Sequence, residues 1–431
     1  MGCEGRKFVL CKLDRLKPIR VAIIGIGSMG KGLAYQSQIT PGIECVAMAD
    51  IRLQRAIACC ELLQRDYRVV RTQDEMHDVI RQSKIAVCED GELVARCRSV
   101  DVLIEASSSI GAGGQFAATA LERGKHLVMM NAEVDLMFGP YLMQLAEENQ
   151  VVYTSCDGDQ PVVIKRLVDE LQFWGFELVM AGNIKGFLDR YSNPTKIIPE
   201  ADKRNLDHKM AASYTDGTKL CIEMALVSNA LGLSTMVPGM TGPKANHVRE
   251  VFDLFDLNSL RRSGVAVVDY ILGAEPDGGV FAVGYCNNDY QKSMLSYLKM
   301  GDGPFYLFYR PYHLCHAEAM SSVAEAYLSC RSLLQPTHGY RTNVYAYAKR
   351  GLRHGEKLDG LGGYTCYGLI ENCNQDETNP GLPICLADEV TLRRDVSKDK
   401  KIHMDDVEYD IHRSDFTLFS KALDESRRLR A

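Results

Sequence analysis

The sequence has no run of about 18 uninterrupted apolar residues, which excludes an apolar membrane-spanning helix. It has no excess of positive charge. Fifty Lys and Arg stand against 56 Asp and Glu, a net charge of −6, so neither nucleic acid nor an anionic membrane surface is an expected partner. Its 15 cysteines include no Cys-x-x-Cys pair. They are scattered through apolar stretches (Cys45, Cys88, Cys221, Cys286) and read as small buried hydrophobes in a reducing cytoplasm, not as a disulfide framework. The segment HLCH, His313–His316, resembles half a metal site but lacks a second pair at telling spacing, and no metal is expected there. The opening segment MGCEGRKFVLCKLDRLKPIR has no small-residue cleavage site, and Arg6 stands where a myristoylation motif needs Ser or Thr. A secretory leader and a lipid anchor are therefore not expected.

What is present is an ordinary globular composition, 46% hydrophobic and 25% charged, in 431 residues, enough for about two or three domains. Residues 20–155 alternate strand and helix patterns. RVAIIGIG, GIECVAMAD, VDVLIEASS, KHLVMMN and VVYTS read as strands, with helices near 28–39, 52–65, 74–82, 113–124 and 132–150. Such alternation predicts an α/β domain with a parallel sheet wrapped by helices. After Asp157 the pattern loosens into α+β. An amphipathic helix from Gln160 and the strand FELVMAGNIKG precede a long polar loop over 187–210, a length that marks function or mobility. A helix over Asp216–Leu231 follows, then the strands GVAVVDYILG, GGVFAVGY and GPFYLFYRPY. From about Pro336, short strands with Gly, Asp and Lys turns predict a small β-rich module, and SDFTLFSKALDESRRLRA reads as a closing helix or tail. The expected division is 1–155, 156–335, 336–412 and 413–431.

Gly25-x-Gly27-x-x-Gly30 follows a buried strand and opens a helix. The first glycine permits the tight turn, the second admits a pyrophosphate against the backbone, and the third lets helix and strand pack closely. The helix start, with Ser28 and Met29, supplies N–H donors and the positive end of the dipole. With Asp50 at the end of the second strand, this is the complete fingerprint of a dinucleotide-binding Rossmann domain. Asp50 would accept from an adenine ribose, which favours NAD, whereas Arg52 would meet a ribose phosphate, which favours NADP; the site leaves the two open. Ser107, Ser108 and Asn131 sit at the same carboxyl edge, where a nicotinamide would lie, or serve as helix caps.

The middle region offers charged groups at helix and strand ends. In MAASYTDGTKLCIEMAL, Lys219 falls in the first turn of a helix capped by Thr215 or Asp216, where a cation opposes the dipole. Either the residue is exposed and pairs with Glu223 one turn on, or its charge acts on an anionic or alkoxide oxygen, with the dipole lowering its pKa. Asp216 could orient Lys219 or, with Glu223, ligate a divalent ion. Lys185 ends a strand near Arg190, Asn193 and Thr195, a grouping able to hold a phosphate or carboxylate. Asp157, Arg310 and His313 complete the candidates for substrate contact, each with a capping or packing alternative.

Three longer stretches, LVMMNAEVDLMFGPYL, VVYTSCDGDQP and AASYTDGTKLCIEMALVSNALGL, are similar to the homoserine-dehydrogenase-like oxidoreductases with a C-terminal SAF module. They resemble in particular the deoxyxylulose phosphate reductoisomerase-like family. AKRGLRHGEKLDGLGGYTCYGLIEN and LPICLADEVTLRRDVSKDKKI resemble the SAF part, a β-clip. The resemblance implies an NADPH-binding first domain, a middle domain that holds substrate and makes subunit contacts, and assembly as a homodimer or homotetramer. It also implies reduction of a small phosphorylated sugar-like carbonyl, with 1-deoxy-D-xylulose 5-phosphate to 2-C-methyl-D-erythritol 4-phosphate as one such reaction, in isoprenoid precursor synthesis, and it admits a divalent metal. Two alternatives stand beside it: a homoserine-type dehydrogenase of an amino-acid-derived aldehyde, and a nucleotide- or carbohydrate-binding protein without hydride chemistry.

Overall fold

The computed structural model describes residue 13 and residues 17–203, 206–374 and 377–430. The Gly2 and Arg6 of the lipidation reading lie outside the described residues. Seven strands, β1 Ile19–Ile24, β2 Ile43–Ala49, β3 Tyr67–Val69, β4 Ile85–Cys88, β5 Val102–Glu105, β6 His126–Met129 and β7 Tyr153–Ser155, form one sheet in the order β3-β4-β2-β1-β5-β6-β7. Every pairing is parallel. The central strands are mostly apolar, Arg20 on β1 and Glu105 on β5 being charged, because helices cover both faces. Strand order reverses between β1 and β5, and ligands of such sheets bind at the carboxyl ends beside that reversal. Short β3 and β4 were not expected from the sequence.

A second sheet, β11-β10-β8-β9, is built from β8 Glu177–Lys185, β9 Val267–Leu272, β10 Val280–Tyr285 and β11 Phe305–Arg310. Only β8 and β9 run parallel. The helix Gln160–Phe173 covers one face. The helix expected over Asp216–Leu231 is present and begins at Thr218, after Gly217, whose φ of 87° only a residue without Cβ adopts cheaply. One helix, His208–Thr215, ends there and the central helix, Thr218–Leu231, begins. The central helix is buried almost all round, as an interior helix must be when apolar on every side. It packs at once on the helix Ala132–Glu148, on Gln160–Phe173, on β9, and on β12 Thr342–Ala348 and β14 Cys366–Asn372.

The carboxy-terminal region is β-rich, as expected. Strands β12 and β14 pair antiparallel, and β13 Lys357–Asp359, β15 Asp388–Leu392 and β16 Val407–Glu408 form a three-stranded sheet. The last helix, Ser414–Arg430, packs back onto Ile110–Glu122 and Ala132–Glu148 of the first domain, with Arg427, Arg428 and Arg430 in its final turn. Among the described residues no helix is long and apolar enough to cross a membrane.

Candidate active site

The glycine turn has the shape a pyrophosphate needs. A Cβ on Gly25 would lie 2.5 Å from the Ser107 backbone nitrogen, and one on Gly30 would lie 2.0 Å from the Gly25 carbonyl oxygen. A Cβ on Gly27 would meet nothing within 4 Å. The first and third glycines are therefore fixed by packing, and the second leaves open space in front of the helix start, where Ser28 is exposed and Met29 half-buried. Asp50 is buried and braces the turn: it accepts from the Ile26 N–H at 2.7 Å and from the Arg52 N–H at 2.8 Å. Arg52 itself is exposed at the rim, with no ion pair among the described residues. Ser107 Oγ accepts from the Ser109 N–H at 3.3 Å, Ser108 is exposed, and Asn131 caps the helix that follows β6 through the Val134 N–H while donating to the Ser109 carbonyl at 3.3 Å. Beneath this edge lies Glu105, fully buried, one oxygen accepting from the Ser107 N–H at 3.0 Å and the other without a hydrogen-bond partner. Burial pushes its carboxyl up to about 7, against the hydrogen bonds from Ser107.

The central helix points its first turn at this same edge. The Lys219 ammonium donates to Glu133 at 3.1 Å; Glu133 is buried and Lys219 largely so, at 13% exposure. Glu133 lies immediately after β6, so the pair ties the middle domain to the carboxyl end of the first sheet. Lys219 is not the exposed partner of Glu223: that pair is not formed, and Glu223 is itself buried. Nor is the lysine's pKa lowered by the helix dipole. Burial pulls it down, but the carboxylates of Glu133, Asp159 and Glu223 outweigh burial, so the amine is held protonated. Burial, with Asp159 alongside, pushes Glu223 up to about 8. Lys185, at the end of β8, is pulled down by burial and lies near Glu223 and Asp216.

Several candidates have other duties. Asp216 neither orients Lys219 nor joins Glu223 as a ligand. One of its oxygens accepts from the Thr218 N–H at 2.8 Å, and the other is 2.9 Å from the ammonium of Lys349, a buried residue of the β-rich region. Asp157 is fully buried, ion-paired with Arg166, and turned from the cluster; Asp159, two residues on, faces it instead. Asn193 closes a local turn by accepting from the Thr195 and Lys196 N–H groups, and Thr195 shares a 2.7 Å hydrogen bond with the Tyr364 hydroxyl. Arg310 forks onto Glu318 at 2.8 and 2.9 Å, which spends its donors on bracing the next loop. His313 lies at the cluster's edge, its Nδ1 3.2 Å from the Gly158 carbonyl and 3.6 Å from Cys315 Sγ. His316 packs on the dinucleotide helix at Gly32. Glu133, Glu105 and Lys349 are not singled out by sequence, and Asp159 and Cys315 stand out there only as a strand-edge or capping residue and as part of the HLCH half-site; position after a sheet strand is the signal for Glu133 and Asp159, although it also suits a cap.

A doubly wound parallel sheet with an open glycine turn, and a lysine held at its carboxyl edge by the middle part of the chain, together define a Rossmann-type α/β fold. The profile of "Oxidoreductase DRL, catalytic domain" matches residues 158–319. Over those residues the chain is similar to the catalytic domain of that oxidoreductase family. It is 28% identical over 137 residues to a homoserine dehydrogenase of Neisseria gonorrhoeae, which covers 32% of this chain and 28% of that protein, so the match spans little more than a quarter of the relative's length. Among solved structures, a hyperthermophilic archaeal homoserine dehydrogenase in complex with NADPH superposes with a TM-score of 0.40 at 14% identity, over 73% of this chain and 99% of that one. A DOX-P reductoisomerase in complex with NADPH, fosmidomycin and magnesium gives 0.33 at 15% identity, over 48% and 57%.

Proposed function

We propose that this protein is an NADPH-dependent reductase of a small phosphorylated, sugar-like carbonyl, and that 1-deoxy-D-xylulose 5-phosphate is the first substrate to test. The single observation that carries the reading is the Lys219–Glu133 pair at 3.1 Å, which sets a fixed positive charge at the carboxyl edge of the dinucleotide domain. The cofactor would rest on Gly25, Gly27 and Gly30, with its adenine end toward Arg52 and its nicotinamide end toward Ser107, Ser108 and Asn131. When bound, it would supply a hydride to the carbonyl carbon, which for 1-deoxy-D-xylulose 5-phosphate is that of the branched aldehyde left by a prior rearrangement of the carbon skeleton.

The chain's own residues supply the rest. As the carbonyl π pair moves onto oxygen, Lys219 meets the growing negative charge in a site that excludes water, where such a charge counts for most. Its raised pKa suits it to hold that charge, not to lose its proton. Glu223, pushed up to about 8, is the protonated acid at neutral pH and gives the oxygen its proton. Lys185 supplies a second positive charge for a phosphate or carboxylate on the substrate. On this reading the β-rich part is the SAF module, the boundaries near residues 155, 335 and 412 are those of the domains, and the protein works in the cytoplasm as a homodimer or homotetramer.

The test is NADPH consumption by the full chain with 1-deoxy-D-xylulose 5-phosphate, beside NADP-dependent oxidation of homoserine. Lys219→Met should lower kcat by at least about 100-fold, the scale of one lost oxyanion contact, while NADPH affinity stays within twofold. Turnover of homoserine in place of the sugar phosphate would replace the substrate and keep the site. Full activity in Lys219→Met would remove the proposed chemistry.

A further inference from the structure

Outside the groups used above, one cluster has the make-up of a metal site. Asp159, His313 and Cys315 offer ligand atoms that all lie within 4.8 Å of one another. Asp159 starts the Gln160–Phe173 helix just beyond β7, and the other two come from the loop after β11. That loop is held against Asp159 by close fit: a Cβ on Gly158 would lie 2.5 Å from the Leu314 carbonyl oxygen. Around a tetrahedral ion with metal–nitrogen and metal–sulfur distances of about 2.0 and 2.3 Å, neighbouring ligand atoms stand roughly 3.5 Å apart. Here Cys315 Sγ is 3.6 Å from His313 Nδ1 and 3.9 Å from Asp159 Oδ1.

The far side of the imidazole gives an independent indication. His313 Nε2 lies 3.2 Å from the amide nitrogen of Gln160, and the amide oxygen, Oε1, is buried with no hydrogen-bond partner. A half-turn of that amide lets Oε1 accept from Nε2–H and turns the amide NH2 into the place where the oxygen lacks a partner. The same turn leaves Nδ1 with a bare lone pair, facing the Gly158 carbonyl at 3.2 Å, the Cys315 sulfur and the Asp159 carboxylate. Several electron-rich atoms then converge around one thiol proton, that of Cys315, whose Sγ is the donor to Asp159 Oδ1 at 3.9 Å, and a cation that replaces that proton answers the arrangement. A second hydrogen bond that fixes the tautomer of a ligating histidine is the usual support for such a ligand.

We propose that Asp159, His313 and Cys315 bind a divalent transition ion of the zinc type, with Gln160 orienting the histidine. The thiol selects against magnesium and calcium, which prefer oxygen donors. Three protein ligands leave a fourth position open, the pattern of sites that act on substrate and not of sites that only staple a fold. Cys315 lies within the electrostatic reach of Lys219 and Glu223, so the open position adjoins the reduction site. The ion's role as a Lewis acid rests on the reductase reading; its binding does not.

Cobalt(II) as a spectroscopic probe separates the two. The full chain, stripped by chelation and titrated with Co²⁺, should take up one equivalent, with intense tetrahedral d–d bands and a near-ultraviolet thiolate-to-cobalt charge-transfer band. Zinc should displace it. Cys315→Ser should lose the charge-transfer band, and Gln160→Met should bind about 10–100-fold more weakly, with unchanged circular dichroism in both. Lys219→Met should bind cobalt as the parent does. Failure of the parent to bind cobalt, or an unchanged spectrum in Cys315→Ser, overturns the site. Cobalt binding without carbonyl reduction would keep the site and drop the reductase; chelator-resistant reduction without cobalt binding would do the reverse.

Discussion

The start of the central helix is held by the β-rich region, and Lys349→Met measures how firmly. Lys349 is buried; its ammonium donates to the Ser192 carbonyl at 2.6 Å and the Gly363 carbonyl at 2.8 Å, and lies 2.9 Å from the Asp216 carboxylate. The two side chains keep 4% and 0% of their exposure, so water replaces none of these contacts when the lysine is removed. Methionine fills the volume and leaves the Asp216 carboxylate without its cation. Breaking a buried pair from one side costs about 3–5 kcal/mol. Asp216→Asn strands the lysine in the same way, and the double variant, which strands neither charge, should recover about 1–3 kcal/mol relative to the sum of the single losses. Urea unfolding followed by tryptophan fluorescence and circular dichroism gives the cycle. A cost under about 1 kcal/mol for Lys349→Met, or strict additivity in the double variant, would refute the view that this pair anchors the helix. A second readout follows from position: Lys349→Met should lower kcat more than it raises KM, because it loosens the helix that carries Lys219 without touching the substrate.

Three further outcomes are expected. Arg52→Ala should weaken NADPH about tenfold, or about 1.4 kcal/mol, and leave NADH unchanged, since Asp50 is committed to the Ile26 and Arg52 N–H groups while the Arg52 side chain is exposed; isothermal titration with both cofactors decides it. Carbonyl reduction should fall as pH rises through about 8, where Glu223 loses the proton it donates, and Glu223→Gln should lose that limb of the pH–rate profile. Glu105 has a folded pKa of about 7, above the ordinary 4.5. Between those values the native state therefore binds more protons than the unfolded one, and stability falls as pH rises across that window. Glu105→Gln should match the parent below pH 4.5 and exceed it above pH 7, by up to roughly 3 kcal/mol; parallel pH–stability curves would contradict this.

The first sheet was readable because its longer buried strands are mostly apolar and its glycine turn has fixed spacing. Strands β3 and β4 were not: Tyr67–Val69 is three residues long and mostly exposed, and Ile85–Cys88 has four residues beside a polar helix. Lys219 stood out because a cation in a first helical turn conflicts with the dipole. Its partner did not, because Glu133 in the first turn of its own helix already satisfies the local rule. Asp159 was hidden in the same way by its role as a cap. Cys315 lies in the HLCH segment, which by itself offered only half a metal site; the approach of that loop, some 155 residues away in sequence, to the Gly158 turn brings it to Asp159. Local propensity explains each of these residues singly, and their convergence is a property of the packing between domains.

The central helix has consequences for anyone who wishes to alter this protein. With neighbours from all three parts of the chain on its sides, it works like a keel, and a side chain exchanged there must suit several surfaces together. Retuning selectivity through it would disturb the whole hull. The segment between β8 and His208 is anchored at a few points and is largely solvated, so libraries seeking a new substrate should begin there.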